Sequence, residues 1–244
     1  MDTARIAELL EPFLDQPLPT SALEHISIYI DLLLRWNARI NLTAIRDPEE
    51  IVTRHFGESL FLASHLFPER VARTLLSAQS SRPSESPGAP LKAQGAIGGK
   101  PTYPQVLDIG SGAGFPALPL KIWSPEIHLT LIESNHRKAA FLREVARSLT
   151  LTNVNIIAER AETLVRTSPP PSDVVTLRAV ERFDTILPLA IKFLAPGARL
   201  ALLIGSTQLP TLPHLAPAID WHQPSSIPQS HSRVLVIGIN QSNQ

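Results

Sequence analysis

The chain of 244 residues contains no cysteine. That absence removes disulfides, thiolate metal sites and any cysteine nucleophile. An excess of charge of one sign is also lacking: 22 Lys and Arg stand against 22 Asp and Glu, and the isoelectric point is near 7.1. Indiscriminate attraction to nucleic acid therefore has no global electrostatic support, and any basic face must be assembled locally by the fold. The balance does tilt along the chain, with seven Lys/Arg against eleven Asp/Glu in residues 1–76 and fifteen against eleven in 77–244. No apolar run approaches the roughly eighteen residues that cross a bilayer. The opening, Met1-Asp-Thr-Ala-Arg-Ile-Ala-Glu-Leu-Leu, carries early acids and reads as an amphipathic helix, not a signal peptide. A cytoplasmic protein is expected. With 43% hydrophobic residues, the length suits one sizeable α/β domain with an appendage, or two small domains.

What is present centres on Val106-Leu-Asp-Ile-Gly-Ser-Gly-Ala-Gly-Phe-Pro116. Val106 to Ile109 is the short apolar run of a buried parallel strand. Gly110, Gly112 and Gly114 follow at alternate positions, where the missing Cβ lets the chain turn sharply and a ligand approach the backbone. Pro116 suits a first helical turn. Strand, glycine loop and helix start together predict a nucleotide-type cofactor site at the sheet's carboxyl edge. The third glycine comes one residue too early for the dinucleotide pattern Gly-x-Gly-x-x-Gly. Asp108, just before the loop, would repel a diphosphate and attract a cation. S-adenosylmethionine has no phosphate and carries a sulfonium and an ammonium, so it fits this loop better than NAD. Glu133, at the tip of the next apolar run, is placed to accept hydrogen bonds from ribose hydroxyls.

The rest of the chain alternates. Residues 3–14 and 21–40 read as helices, and Asp47-Pro48-Glu49-Glu50 starts a third, with an N-cap, a proline at the first turn and acids beside the dipole. Val52, Phe56, Leu60 and Ala63 form its buried stripe. His55 lies one position off it and reads as a satisfied hydrogen-bonding residue. Residues 77–104 are rich in Pro, Gly and Ser, the composition of a loop or insertion. This divides the chain into a helical extension, 1–76, that stretch, and a sheet region, 105–244. Beyond the glycine loop the pattern predicts helices at 116–123, 135–149, 162–167 and 183–194. Strands are predicted at 127–133, 154–158, 173–177 and 198–205, which is an α/β, doubly wound, mostly parallel sheet. A last strand, 233–239, suits a terminal hairpin at the sheet edge.

The residues also bound the chemistry. Attack from carbon 5 of a pyrimidine needs the absent cysteine. Exocyclic amino groups are usually handled by an Asn/Asp-Pro-Pro-Tyr/Phe loop, but the fourth strand ends Thr176-Leu-Arg-Ala-Val180. Hydroxyl attack needs a general base, and no Lys/Asp/Lys/Glu set is evident. Guanine N7 keeps a free lone pair and needs only orientation, so the absences lean towards it. Glu159 and Glu162 follow the third strand, where they suit either an adenine contact or a helix-dipole acid. Arg178 lies over the crevice and could orient a cofactor carboxylate, a phosphate or a guanine edge, or serve as a scaffold ion pair. His136, Arg143 and Arg147 share one helical face, either a nucleic-acid footprint or a solvated surface.

Trp36-Asn37…Ile40-Asn-Leu-Thr-Ala-Ile-Arg-Asp-Pro-Glu-Glu50…Arg54-His-Phe56…Ser59-Leu60, with Asp108-Ile-Gly-Ser-Gly-Ala-Gly-Phe-Pro116, Arg160-Ala-Glu162 and Arg178-Ala179, resembles the ribosomal small-subunit RNA methyltransferase G family, or glucose-inhibited division protein B. The resemblance runs over most of 21–76 and 104–205. It implies a class I methyltransferase fold, a Rossmann-like, seven-stranded, mostly parallel sheet with an N-terminal helical extension. It implies S-adenosylmethionine as methyl donor, N7 of a guanine in 16S ribosomal RNA as acceptor, and 16S rRNA or the 30S subunit as partner. Family cofactor contacts fall on Gly110, Phe115, Ala161, Glu162 and Arg178. Relative to the family, 77–104 looks like an insertion and the final strand lacks a basic ending. No membrane or metal is expected, and the oligomeric state is open, with a monomer favoured. The rivals are a methyltransferase for a small molecule or protein, or a catalytically silent RNA-binding module.

Overall fold

A computed structural model of the chain describes residues 1–68, 103–167, 169–180 and 182–242. Of the stretch expected as a loop or insertion, 77–104, all but Tyr103 and Pro104 lies outside the described residues.

Among the described residues eight strands form one sheet: β1 (Gln105–Ile109), β2 (His128–Ile132), β3 (Val154–Ile157), β4 (Ser172–Arg178), β5 (Leu194–Gly205), β6 (Ile219–Trp221), β7 (Ser225–Ser226) and β8 (Arg233–Asn240). Seven lie in the order β3-β2-β1-β4-β5-β8-β6, and the two-residue β7 pairs with β8 off that path. The β1, β2, β3, β4 and β5 pairings are parallel; those of β8 are antiparallel. Because β1 is flanked by β2 on one side and β4 on the other, the connections diverge there. A crevice opens above their carboxyl ends, the usual ligand position in such sheets.

Alternation along the strands splits the core in two. Val106, Leu129, Leu131, Val174 and Leu203 face a cluster shared with Ile26, Ile30, Leu33, Phe56 and Leu60 of the N-terminal helices. Leu107, Ile109, Val175, Leu177 and Leu202 face the other cluster, covered by residues such as Leu187, Ala190 and Leu212. Burial on both faces is what lets these strands read as almost continuous apolar runs.

Two expectations are corrected. The last strand does not end the sheet: β8 lies between β5 and β6. Val234, Leu235 and Val236 are buried in succession, the signature of an interior strand. Gly238 is required there, since a Cβ would run into the side chains of Ile219 and Trp221 on β6. The third helix is also not uniform. A turn at Pro48–Glu50 leads into a π-helical stretch, Ile51–Gly57, before the α-helix Glu58–Leu66. The wider i→i+5 turn rotates residues off the α stripe towards the interior. His55 and Glu58 are thereby buried beside Phe56. Gly57 sits against the Phe13 ring, where an added Cβ would come within 2.7 Å.

Candidate functional site

A cavity of about 540 Å³ opens at the switch point, within the usual size range of small-molecule sites. The glycine loop forms its floor. Gly110, Gly112 and Gly114 all have positive φ, at 71°, 55° and 87°. The amides of Gly110 and Ser111 donate to Ile132 O at 2.9 and 3.1 Å, which pins the loop to the end of β2.

Glu133 completes that link. Its Oε2 accepts from the Gly112 amide at 2.8 Å and its Oε1 from the Asn135 amide at 2.7 Å. Each carboxylate oxygen keeps a second lone-pair direction, so the group both braces the loop and faces the cavity. Of the residues expected at the site, Gly110, Gly112, Phe115, Glu133, Ala161, Glu162 and Arg178 all line this cavity. Ala161 and Glu162 begin the short helix Ala161–Leu164 after β3, and Glu162 pairs with Arg182 at 3.3 Å.

Gly114 does not line the cavity. A Cβ there would strike the Tyr29 hydroxyl, with Leu118 at 2.7 Å and Leu142 at 3.0 Å, so this glycine serves the packing of the N-terminal helices onto the loop. Asp108 departs further from expectation. On the alternating strand it points into the protein, where Thr176 Oγ1 donates to its Oδ1 at 2.6 Å and Oδ2 has no partner. Burial pushes its carboxyl up to about 6. It braces β1 against β4 and does not line the cavity. His136, Arg143 and Arg147 are exposed on the helix His136–Ser148 and none of them lines the cavity.

Arg178, at the end of β4, is both cavity wall and scaffold. Its Nη2 lies 2.9 Å from Glu58 Oε2, 2.8 Å from Arg54 O and 3.0 Å from His55 Nδ1. Glu58 is 1% exposed and also meets Arg54 and Arg233, at 3.4 and 3.0 Å. One buried carboxylate thus serves three guanidiniums, and Nε of Arg178 stays without a partner. Beyond Arg178 the backbone of Ala179 enters the left-handed region at φ 50°, a strained conformation for a residue with a Cβ. It sets Ala179 and Val180 along the cavity.

An aromatic column supports this wall. Phe115 stacks with Tyr29 at 5.3 Å and with His55 at 4.7 Å, and the Arg178 guanidinium lies 5.9 Å from its centroid. The Tyr29 hydroxyl donates to Ala113 O at 2.5 Å. Burial, helped by the neighbouring Arg178, Arg54 and Arg233, lowers the His55 pKa to about 3, so the ring is neutral.

Sequence reasoning missed the contribution of the N-terminal extension, a loop and the π-helical stretch, to the cavity. Leu42, Thr43 and His55 line it. Asn37 holds the segment in place: its Oδ1 accepts from the amides of Leu42 and Thr43, and its Nδ2 donates to Thr43 O at 2.9 Å. The signal was present in Asn37…Asn41-Leu-Thr, which carried the resemblance but had no role attached. Among the described residues no cluster of His, Asp and Glu could hold a metal, and no helix is long and apolar enough to cross a membrane.

Sheet order, one antiparallel strand near the edge and a glycine-floored cavity over β1 and β4 define the class I methyltransferase fold. A sequence model described as rRNA small subunit methyltransferase G matches residues 22–75 and 97–233, and the chain belongs to that family. A ribosomal RNA small subunit methyltransferase G of Chloroflexus aggregans is 37% identical over 75% of this chain and 64% of its own length. The protein of the same name from Roseiflexus castenholzii is 36% identical over 72% of this chain and 62% of its own. The chain therefore spans slightly under two thirds of these relatives. Among solved structures, a putative methyltransferase, yhhF, from Escherichia coli aligns with 57% of this chain and 78% of its own, at 16% identity and a TM-score of 0.48. That likeness is too loose to bear on function.

Proposed function

We propose that the chain is an S-adenosylmethionine-dependent methyltransferase acting on guanine N7 in 16S ribosomal RNA, in the cytoplasm, on the RNA or the 30S particle. One observation carries this reading most directly: a carboxylate, Glu133, held at the tip of β2 by the amide of Gly112 and facing a 540 Å³ cavity. Family membership supports the acceptor. In this reading Glu133 takes the ribose hydroxyls, Ala161 and Glu162 take the adenine, and Gly110 and Gly112 give the donor's sulfonium end access to the backbone. Phe115 and Arg178 close the wall beside it. Gly114 keeps its place in the motif for packing.

The donor supplies a methyl on positively charged sulfur, which leaves as a neutral thioether. The N7 lone pair forms the new bond, so no proton has to leave the nucleophile. In this reading the residues lining the cavity have binding roles: among the described residues His55 is the one histidine there and its Nδ1 faces the Arg178 guanidinium, while Glu133 is held by the amides of Gly112 and Asn135 and Glu162 pairs with Arg182. What the protein must do is hold the base in line, and alignment of this kind contributes up to roughly 7–11 kcal/mol. The division into a helical extension of 1–76, an inserted 77–104 and a sheet region of 105–244 belongs to the same proposal. The family match, which leaves 76–96 unmatched, supports the middle boundary.

The test is to incubate the protein with methyl-labelled donor and 30S particles and to digest the RNA. Labelled 7-methylguanosine is expected. A preparation that binds the donor yet labels no guanine overturns the proposal.

A further inference from the structure

The polar chain Arg178–His55–Thr43 fixes the direction of every hydrogen bond in it. A guanidinium nitrogen carries no lone pair to offer. His55 Nδ1, 3.0 Å from Arg178 Nη2, has nothing there to donate to and is therefore the unprotonated nitrogen, sharing one of the two Nη2 hydrogens with Arg54 O or Glu58 Oε2. The ring proton then sits on Nε2, which faces Thr43 Oγ1 at 2.8 Å and donates to it. Thr43 Oγ1 accepts a second hydrogen bond from the Ile45 amide at 3.1 Å. Both lone pairs of the hydroxyl are then used, and only its own hydrogen is left. Thr43 is half-buried and lines the cavity, and among the described residues no further acceptor takes that hydrogen, which leaves it for an occupant of the cavity. The group is rigid as well as directed, because Asn37 clamps the Thr43 backbone at both N and O, at 3.1 and 2.9 Å.

We infer that the Thr43 hydroxyl is a dedicated donor to a carbonyl oxygen of the methyl-accepting base, the oxygen at position 6 of guanine. This rests on the proposed guanine N7 activity. Guanine presents N7 and O6 side by side on one edge, both as acceptors. Adenine has an amino group where guanine has O6. A hydroxyl that can only donate gains a partner with guanine and meets another donor with adenine. Thr43 is thus a specificity-determining residue, fixed in its role through His55 by Arg178. The donor's own carboxylate is the other acceptor the hydroxyl could meet, and the experiment separates the two.

The test compares guanine with 2-aminopurine, which keeps N7 and lacks the oxygen, at the target position of reconstituted 30S particles. The kcat/KM ratio between the two bases is measured for the wild type, Thr43→Ser, Thr43→Val and Thr43→Cys. The altered basicity of N7 in the analogue affects every variant alike and cancels between them. The expected result is a ratio about tenfold smaller in Thr43→Val than in the wild type, with Thr43→Ser restoring it. Should Thr43→Val fail to fold, Thr43→Cys, a side chain of similar reach with a weak donor, must show the same fall. An unchanged ratio in a folded variant overturns the inference. So does a tenfold weaker donor affinity by calorimetry with the ratio unchanged, which would assign the hydroxyl to the donor's carboxylate. Failure of the underlying activity shows separately, as a wild type that makes no 7-methylguanosine on unmodified particles.

Discussion

Arg178 Nη2 and Glu58 Oε2 stand 2.9 Å apart, and this ion pair joins the carboxyl end of β4 to the first turn of the helix Glu58–Leu66. Glu58 is the one acid that meets all three of Arg54, Arg178 and Arg233 among the described residues; Arg54 also reaches the exposed Glu50, at 4.0 Å. Removing the Glu58 charge leaves two largely buried guanidiniums facing each other. Glu58→Gln should lower stability by about 3–5 kcal/mol, the range for breaking a buried pair from one side. Arg178→Met should cost less, since Glu58 then keeps two partners. Urea unfolding midpoints of the two variants check the order, and a Glu58→Gln midpoint equal to wild type would remove the cluster from the account.

His55 and Asp108 should give stability opposite slopes against pH. The unfolded His55 takes up a proton below about pH 6.5, whereas the folded ring resists until about 3. Its contribution is complete above pH 6.5 and is lost as pH falls towards 3, on the order of 3–5 kcal/mol. The folded Asp108 carboxyl holds its proton to about pH 6, while the unfolded one loses it near 4. Its contribution is complete below pH 4 and is lost as pH rises through 6, roughly 2–3 kcal/mol. Asp108→Asn should therefore flatten the decline between pH 4 and 6, and His55→Gln should remove the acid-side loss. Thermal melts of each variant against wild type from pH 3.5 to 8 read both effects.

Gly114 and Gly197 have similar backbones, at φ 87° and 72°, in different surroundings. A Cβ at Gly197 meets nothing within 4 Å, while one at Gly114 meets Tyr29, Leu118 and Leu142. Gly197→Ala should cost about 1–2 kcal/mol, the left-handed penalty alone. Gly114→Ala should cost about 2–5 kcal/mol, adding overpacking to the same penalty. Denaturation midpoints that place the two together would mean the contact at Gly114 relaxes freely.

Glu133→Gln tests the floor of the cavity. An amide offers one acceptor oxygen where the carboxylate offers two, so one of the Gly112 and Asn135 amides must lose its partner. The donor should bind about 10- to 100-fold more weakly, since charge-assisted hydrogen bonds contribute roughly 1.5–3 kcal/mol each. Calorimetry with S-adenosylmethionine measures this, and an unchanged affinity would take the ribose role from Glu133.

Much of this was legible in the residues. Alternating strand and helix patterns placed β1 to β5 to within a few positions, because burial on both faces makes each strand an apolar run. The glycine loop and Glu133 were legible because their chemistry is local: turn, backbone approach, carboxylate at a strand tip. Glu58 was not, because its burial depends on the π-helical stretch, which moves it off the 3.6-residue stripe. Asp108 was misplaced because proximity to the loop says nothing about which face of the strand a side chain takes. The position of β8 was hidden by β6, three residues between prolines and too short to show a period.

The closing of the sheet also has an order in time. β5 and β6 leave the ribosome before β8, yet β8 is the strand that pairs with both. Until residues 233–240 emerge, the β5 edge from Arg199 to Gly205 stays open, a row of free amides and carbonyls on an apolar strand. The nascent chain must be kept from pairing that edge with a neighbour, and a stop codon ahead of Arg233 would leave the edge bare for good.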